Sequence, residues 1–244
     1  MPNSWQSLIG NIASDLKNLT FNLFLKSNCP LCDRAAIVVF CQYCQRQIQE
    51  CQLTHPERYW HGDLPLFGWG KYEGAVKRSI GKLKYDGHRS IADFYGESLA
   101  TKWQKFAPPA PTKLIALPVP LHPDKLVSRG FNQAELIARK FCQLTGAKLD
   151  LSLHRTRSTV AQFGLSKSAR QSNVEGAFAL VNSSLKPGNT ILLVDDIYTT
   201  GATVREIATV LRSQQINVCG VAVVARTELT NKVQGYDDQP PSRP

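Results

Sequence analysis

The stretch that decides the fold reads ILLVDDIYTTGAT, residues 191–203. Together with Thr190 it opens on a short apolar run, 190–194, which predicts a strand buried on both faces. Two acidic residues follow, Asp195 and Asp196. Then comes a loop of hydroxyl residues and glycine, Thr199, Thr200, Gly201, Ala202 and Thr203, and helical spacing begins at Ala202. In open α/β sheets, ligands bind beyond the carboxyl ends of the strands. A loop that opens a helix leaves backbone N–H groups unpaired, and the helix dipole favours an anion there. Gly201 lets the backbone approach a phosphate with no Cβ in the way. Two carboxylates are wrong for holding a phosphate. They are right for accepting hydrogen bonds from a vicinal diol, and for orienting a Mg²⁺ carried mostly by a pyrophosphate. Each feature alone would also describe a strand-to-helix turn with an Asp or Thr cap. Their combination points to a phosphorylated diol.

Outward from this stretch the pattern repeats. Residues 114–119 and 218–225 read as buried strands and 178–181 as a further strand. Residues 132–145 read as a helix stopped by Gly146, and 202–213 as another. Strands alternating with helices predict an α/β fold, a parallel sheet flanked by helices. Upstream, 72–85 reads as a basic helix ended by Asp86 and Gly87, and 90–104 as a second helix. Prolines then break the chain in PPAPT, 108–112. Residues 52–70 read as a linker turning into a short strand. At the N-terminus, Trp5, Leu8, Ile9, Ile12, Leu16, Leu19 and Leu23 have helical spacing, so 1–27 is expected to be an amphipathic helix. Its opposite face is not strongly basic, which favours packing on protein over a membrane surface. The tail, 231–244, is polar and Pro-rich and is expected to be disordered. No run of eighteen apolar residues exists and no secretory signal is legible, so the expectation is a cytoplasmic protein with no membrane span.

The net charge of +10 is concentrated in two stretches, Lys71 to Arg89 and Leu121 to Arg170, whose combined excess equals the whole. Clustered cations suit an anionic partner, whether phosphorylated small molecules or nucleic acid, although a solvated basic surface would look the same. Tyr59, Trp60, Trp69 and Tyr72 interleave with Lys71, Lys77, Arg78, Lys82 and Lys84. Aromatics beside cations suit single-stranded DNA; the alternative is core aromatics beneath a solvated helix face.

Five of seven cysteines fall between positions 29 and 51. Cys29 and Cys32 form one CxxC pair, and Cys41 and Cys44 a second. Two such knuckles can supply four thiolates to one Zn²⁺, and an all-cysteine set implies a closed, structural site. Residues 28–51 are therefore expected to be a small zinc-ribbon module, with the apolar AAIVVF (35–40) as a short strand.

Several segments together resemble one family. They are the two Cys pairs, LKYDGH (83–88), LPVPLHP (117–123), SRGFNQAELIA (128–138), RTRSTVAQFGLSKSARQSNVEGAF (155–178) and VDDIYTTGAT (194–203). In that order they resemble the ComF family of competence-associated proteins, which has a type I phosphoribosyltransferase-like domain; here that domain is expected over 66–230. The resemblance implies a site for phosphoribosyl pyrophosphate with Mg²⁺. Asp195 and Asp196 would contact the ribose hydroxyls. Thr199, Thr200, Gly201, Ala202 and Thr203 would cradle the 5-phosphate. The loop around Pro118 to His122 would bind pyrophosphate, and Arg129 would neutralise its charge, unless it is simply a surface cation. Asn132 and Gln133 would fix that loop, with plain helix capping as the other reading of Asn132. The segment Arg155 to Arg170 resembles a loop that closes over the ligand, so Arg170 joins Arg129, Asp195 and Asp196 as a candidate catalytic residue. Implied partners are single-stranded DNA and a DNA-uptake helicase or other competence protein. The implied role is in natural competence. The alternatives are an active phosphoribosyltransferase on an unidentified acceptor and a non-catalytic metabolite sensor.

Overall fold

The computed structural model describes residues 27–108, 113–156 and 176–227. The expected N-terminal helix and C-terminal tail lie outside these, as does Arg170. Five strands form one parallel sheet in the order β3 (Leu66–Lys71), β9 (Asn217–Arg226), β8 (Thr190–Tyr198), β4 (Leu114–Pro118) and β5 (Lys148–Leu149). Each central strand sends alternate side chains to opposite faces. Leu192 and Val194 of β8 join one core, and Ile191 and Leu193 the other.

The first core lies under α2 (Gly74–Tyr85), α3 (Ser90–Phe106) and α5 (Gln133–Thr145). The apolar residues of α5, among them Ala134, Ile137, Ala138 and Phe141, recur at helical spacing and are all buried. Gly96 lets α3 and α5 approach closely, since a Cβ there would lie 2.7 Å from the carbonyl oxygen of Ile137. The second core lies under α6 (Ala202–Ser213), which buries Val204, Ile207, Ala208 and Leu211. An antiparallel ribbon of β6 (Leu153–Arg155) and β7 (Phe178–Leu180) completes that face.

The cysteine module consists of the hairpin β1 (Ser27–Asn28) with β2 (Ala35–Ala36), and α1 (Gln42–Glu50). Only the first two residues of AAIVVF are strand; Ile37 and Val38 are exposed and Phe40 is buried. The module has no separate core. Cys29, Phe40, Cys44 and Ile48 belong to the same cluster as α2 and α3.

One expectation changes, and one open alternative is decided in part. The strand predicted over 190–194 continues to Tyr198, because β9 runs beside it as far as Arg226 and keeps the ladder paired. The aromatics that suited either a stacking surface or the core serve packing at two positions, beside and on β3, the short strand expected at the end of 52–70. Trp69 is buried, and Trp60 packs edge-on to Trp103 at 5.3 Å. Tyr59 lies under the Arg226 guanidinium at 3.8 Å. Among the described residues no helix is long and apolar enough to cross a membrane.

Candidate functional site

The carboxyl ends of β4 and β8 and the N-terminus of α6 surround a cavity of about 340 Å³. Its wall from the 191–203 stretch includes Asp195, Asp196, Thr199, Gly201, Ala202 and Thr203, with Ile197 and Tyr198. Gly201 caps α6 at φ 75°, in the left-handed region, and no side chain caps the helix. The first turn therefore presents its amides and positive dipole end toward the cavity. A Cβ at Gly201 would fall on the hydroxyl of Tyr198. Thr200 Oγ1 is buried without a hydrogen-bond partner, and the Thr200 carbonyl accepts from the Arg205 guanidinium. The loop is thus held from behind and carries an orphaned hydroxyl.

The two carboxylates differ. Successive strand residues face opposite sides, so Asp196 turns toward the α2 and α5 side and Asp195 away from it. Asp195 Oδ1 accepts from the Asp196 amide at 2.8 Å. Lys84 Nζ, from the last turn of α2, lies 2.5 Å from Asp196 Oδ2, with side-chain exposures of 18% and 5%. Burial pushes Asp196 up, but the Lys84 ammonium and hydrogen bonding to Asp195 and Gln133 together hold the carboxyl below its usual range. Burial, and then the Asp196 anion, hold Asp195 well above the usual carboxylate range. Burial lowers Lys84, but Asp196, with Asp195 and Tyr72, leaves its ammonium above the usual range.

Lys125, on α4 (Pro123–Arg129), and Arg155, at the end of β6, supply two more cations to the wall. Burial and then the neighbouring cations Arg155, Arg129 and Lys84 lower the Lys125 ammonium. The linking segment is pinned by Asn132. Its side-chain oxygen accepts from the Ala134 amide at 3.0 Å, capping α5, and its amide nitrogen donates to the Val119 carbonyl at 3.0 Å. It therefore both caps the helix and fixes the loop.

In the module, the four Sγ atoms of Cys29, Cys32, Cys41 and Cys44 lie within 4.8 Å of one another. Four thiolates ~2.3 Å from a tetrahedral zinc would sit about 3.8 Å apart, so the set fits such an ion. Cys29 and Cys32 sit in a turn closed by Asp33 N donating to Cys29 O at 2.8 Å. Cys41 and Cys44 sit at the start of α1. The Cys44 amide lowers the Cys41 thiol to about 7, while burial raises Cys44.

The model of the phosphoribosyl transferase domain matches residues 126–239. Competence protein F of Haemophilus influenzae is 37% identical over 111 residues, 43% of this chain and 48% of that protein, so the match spans about half of that relative. Competence protein ComFC of Streptococcus pneumoniae is 28% identical over 192 residues, 79% of this chain and 77% of that protein. The chain is similar to the competence proteins of the ComF family. It has a type I phosphoribosyltransferase-like parallel sheet and a four-cysteine cluster of zinc-ribbon type. Among solved structures, adenine phosphoribosyltransferase from Thermoanaerobacter pseudethanolicus overlaps 67% of this chain and 81% of that chain, with 14% identity and a TM-score of 0.39.

Within this ComF-like chain the structure separates the residues named from sequence. Asp195, Asp196, Thr199, Gly201, Ala202 and Thr203 share one cavity, with Thr200 in the same loop. Pro118 is the last residue of β4, and its successors Val119, Pro120 and Leu121 reach the wall instead. Arg129 stands one step back: it donates to Gln133 Oε1 at 2.5 Å and lies over the Tyr85 ring at 5.7 Å. Sequence reasoning placed Lys84 among cations that suit either single-stranded DNA or a solvated helix face, and gave Lys125 no role. Nothing in the spacing of GAVKRSIGKLKY shows that the last lysine, unlike Lys82, lies against β8. The LKYDGH segment was the available signal.

Proposed function

We propose that this chain binds a ribose 5-phosphate ligand such as phosphoribosyl pyrophosphate, with Mg²⁺, and that it serves the handling of DNA taken up by the cell, from the cytoplasm. The observation that carries the ligand is the pairing of a carboxylate couple with an uncapped helix N-terminus in one cavity. Asp195 and Asp196 accept hydrogen bonds from the ribose hydroxyls. The amides at the start of α6 and the Thr199, Thr200 and Thr203 hydroxyls hold the 5-phosphate. Lys125 and Arg155 face the pyrophosphate. Arg129 acts through Gln133, orienting its side chain. Magnesium, carried on the pyrophosphate, would neutralise charge beside the carboxylates. The donor set suits that arrangement, since Asp196 already has a cation and Asp195 remains to orient the ion.

The printed names of the two relatives, both competence proteins, support the DNA-uptake part of this reading. Zn²⁺ in the four-cysteine cluster is its structural metal. Two measurements test the reading. Phosphoribosyl pyrophosphate with magnesium should raise the melting temperature, as any ligand that prefers the folded state does. Anisotropy of a labelled single-stranded oligonucleotide should show binding that weakens steeply with salt. No thermal shift would refute the ligand, and salt-independent or absent anisotropy change would refute the nucleic-acid partner.

A further inference from the structure

Lys84 is the feature of the cavity that the ribose-phosphate reading leaves without a role. A pair of adjacent carboxylates at a strand end, with no counter-charge, would attract a divalent cation. Here the ammonium of Lys84 already stands 2.5 Å from Asp196 Oδ2, and both side chains are largely shielded from water. Two structural facts hold it there. Lys84 is in the last turn of α2, whose Val76, Ile80 and Leu83 are buried in the first core, so the helix is fixed relative to β8. Asp196 is a residue of β8, between Asp195 and Ile197, whose pairing with β9 fixes the backbone on either side of it. A lysine presents a compact point charge with rotatable donors, so it can keep its ion pair with Asp196 and offer donors to an entering oxygen. Lys84 lines the same cavity as the loop that receives the phosphate.

We propose that Lys84 is a binding residue that occupies the cation position of the carboxylate pair: the ligand-free protein takes up no free divalent cation there, and the ribose phosphate part of the ligand binds without metal. The inference rests on the ribose-phosphate reading of the cavity for its second half only. Metal then enters on the pyrophosphate and not ahead of it. Asp196, held by Lys84, stays a fixed acceptor for the ribose diol, while Asp195 is the carboxylate left to meet the incoming ion.

The test uses the full chain with its cysteine cluster saturated with zinc. Mn²⁺, read by its paramagnetic signal, is titrated into the ligand-free wild type, Lys84→Gln, Lys84→Arg and Lys84→Gln/Asp196→Asn. The wild type and Lys84→Arg should show no saturable site at the carboxylates. Lys84→Gln should gain one, tighter by about tenfold or more, as an uncompensated carboxylate pair requires, and the double variant should lose it again. Ribose 5-phosphate, titrated calorimetrically in chelator, should bind the wild type and bind Lys84→Gln about tenfold more weakly or worse. Added magnesium should restore much of that loss in Lys84→Gln and change the wild type little. Saturable manganese uptake by the ligand-free wild type at Asp195 and Asp196 would overturn the proposal without reference to any variant. So would ribose 5-phosphate binding that is indifferent to Lys84→Gln. If the wild type binds neither ribose 5-phosphate nor phosphoribosyl pyrophosphate with or without magnesium, the cavity reading fails and takes the ligand half with it. The manganese arm still judges the cation claim by itself.

Discussion

The ring of Phe40, one residue ahead of Cys41, meets the ring of Phe94 on α3 edge-on, with centroids 5.0 Å apart. This contact sets the cysteine module into the main core rather than beside it. Phe40 is 1% exposed, and Cys29 and Cys44 are buried in the same cluster. Loss of metal from the four cysteines should therefore destabilise the whole protein. A calorimetric scan after chelation should show one transition at lower temperature. Two transitions, with the upper one unmoved, would mean that the module unfolds alone.

Phe40→Ala probes the same joint without touching a thiol. Removing a buried aromatic ring costs about 3–5 kcal/mol. The urea midpoint should fall accordingly, with zinc still bound at stoichiometry under native conditions.

Asp195 and Asp196 should respond to amidation with opposite signs. Asp195 is held above its ordinary range, so its ionisation costs folding free energy as pH rises through the folded-state value. Asp195→Asn removes that cost and should be more stable than wild type near pH 7, with the difference gone near pH 3. Asp196 is held below its ordinary range, so its contribution is present above the unfolded value of ~3.9 and lost as pH falls through the folded one. Lys84, raised, contributes below ~10.4 and loses that contribution only as pH climbs past its folded value. Asp196→Asn strands the Lys84 ammonium and should cost about 3 kcal/mol near pH 7. Urea midpoints at the two pH values check both signs.

Gly201→Ala tests the phosphate end of the cavity. At φ 75° an alanine costs about 1–2 kcal/mol, and its Cβ would displace Tyr198. The expected outcome is a modest fall in melting temperature with a much larger proportional loss of ligand affinity, read by calorimetry. Unchanged affinity would remove the loop from the site.

What was legible in the sequence had local causes. The apolar run before Asp195, the Thr and Gly loop and the helical spacing after it are neighbours in the chain, so the strand–loop–helix unit could be read directly. The CxxC pairs could be read because ligand spacing is itself local. The strand's extension to Tyr198 was hidden, because it depends on β9 running alongside. Trp60 and Trp69 were ambiguous beside lysines, because an aromatic flanked by cations looks alike on a surface and at a sheet edge. Only the pairing of β3 with β9 turns Trp69 inward. Lys84 and Asp196 are separated by more than a hundred residues, and their ion pair is a product of helix placement that no spacing encodes. Arg129 was legible as a cation near the site, but its turn toward Gln133 was not.

The most direct test of the central claim is calorimetric titration of phosphoribosyl pyrophosphate with magnesium into the wild type, Asp195→Asn and Asp195→Asn/Asp196→Asn. The account predicts saturable one-to-one binding to the wild type. It predicts affinity reduced by about tenfold or more in Asp195→Asn, whose fold is at least as stable, and no detectable binding to the double variant. Absence of binding to the wild type, or equal binding to all three proteins, would contradict it.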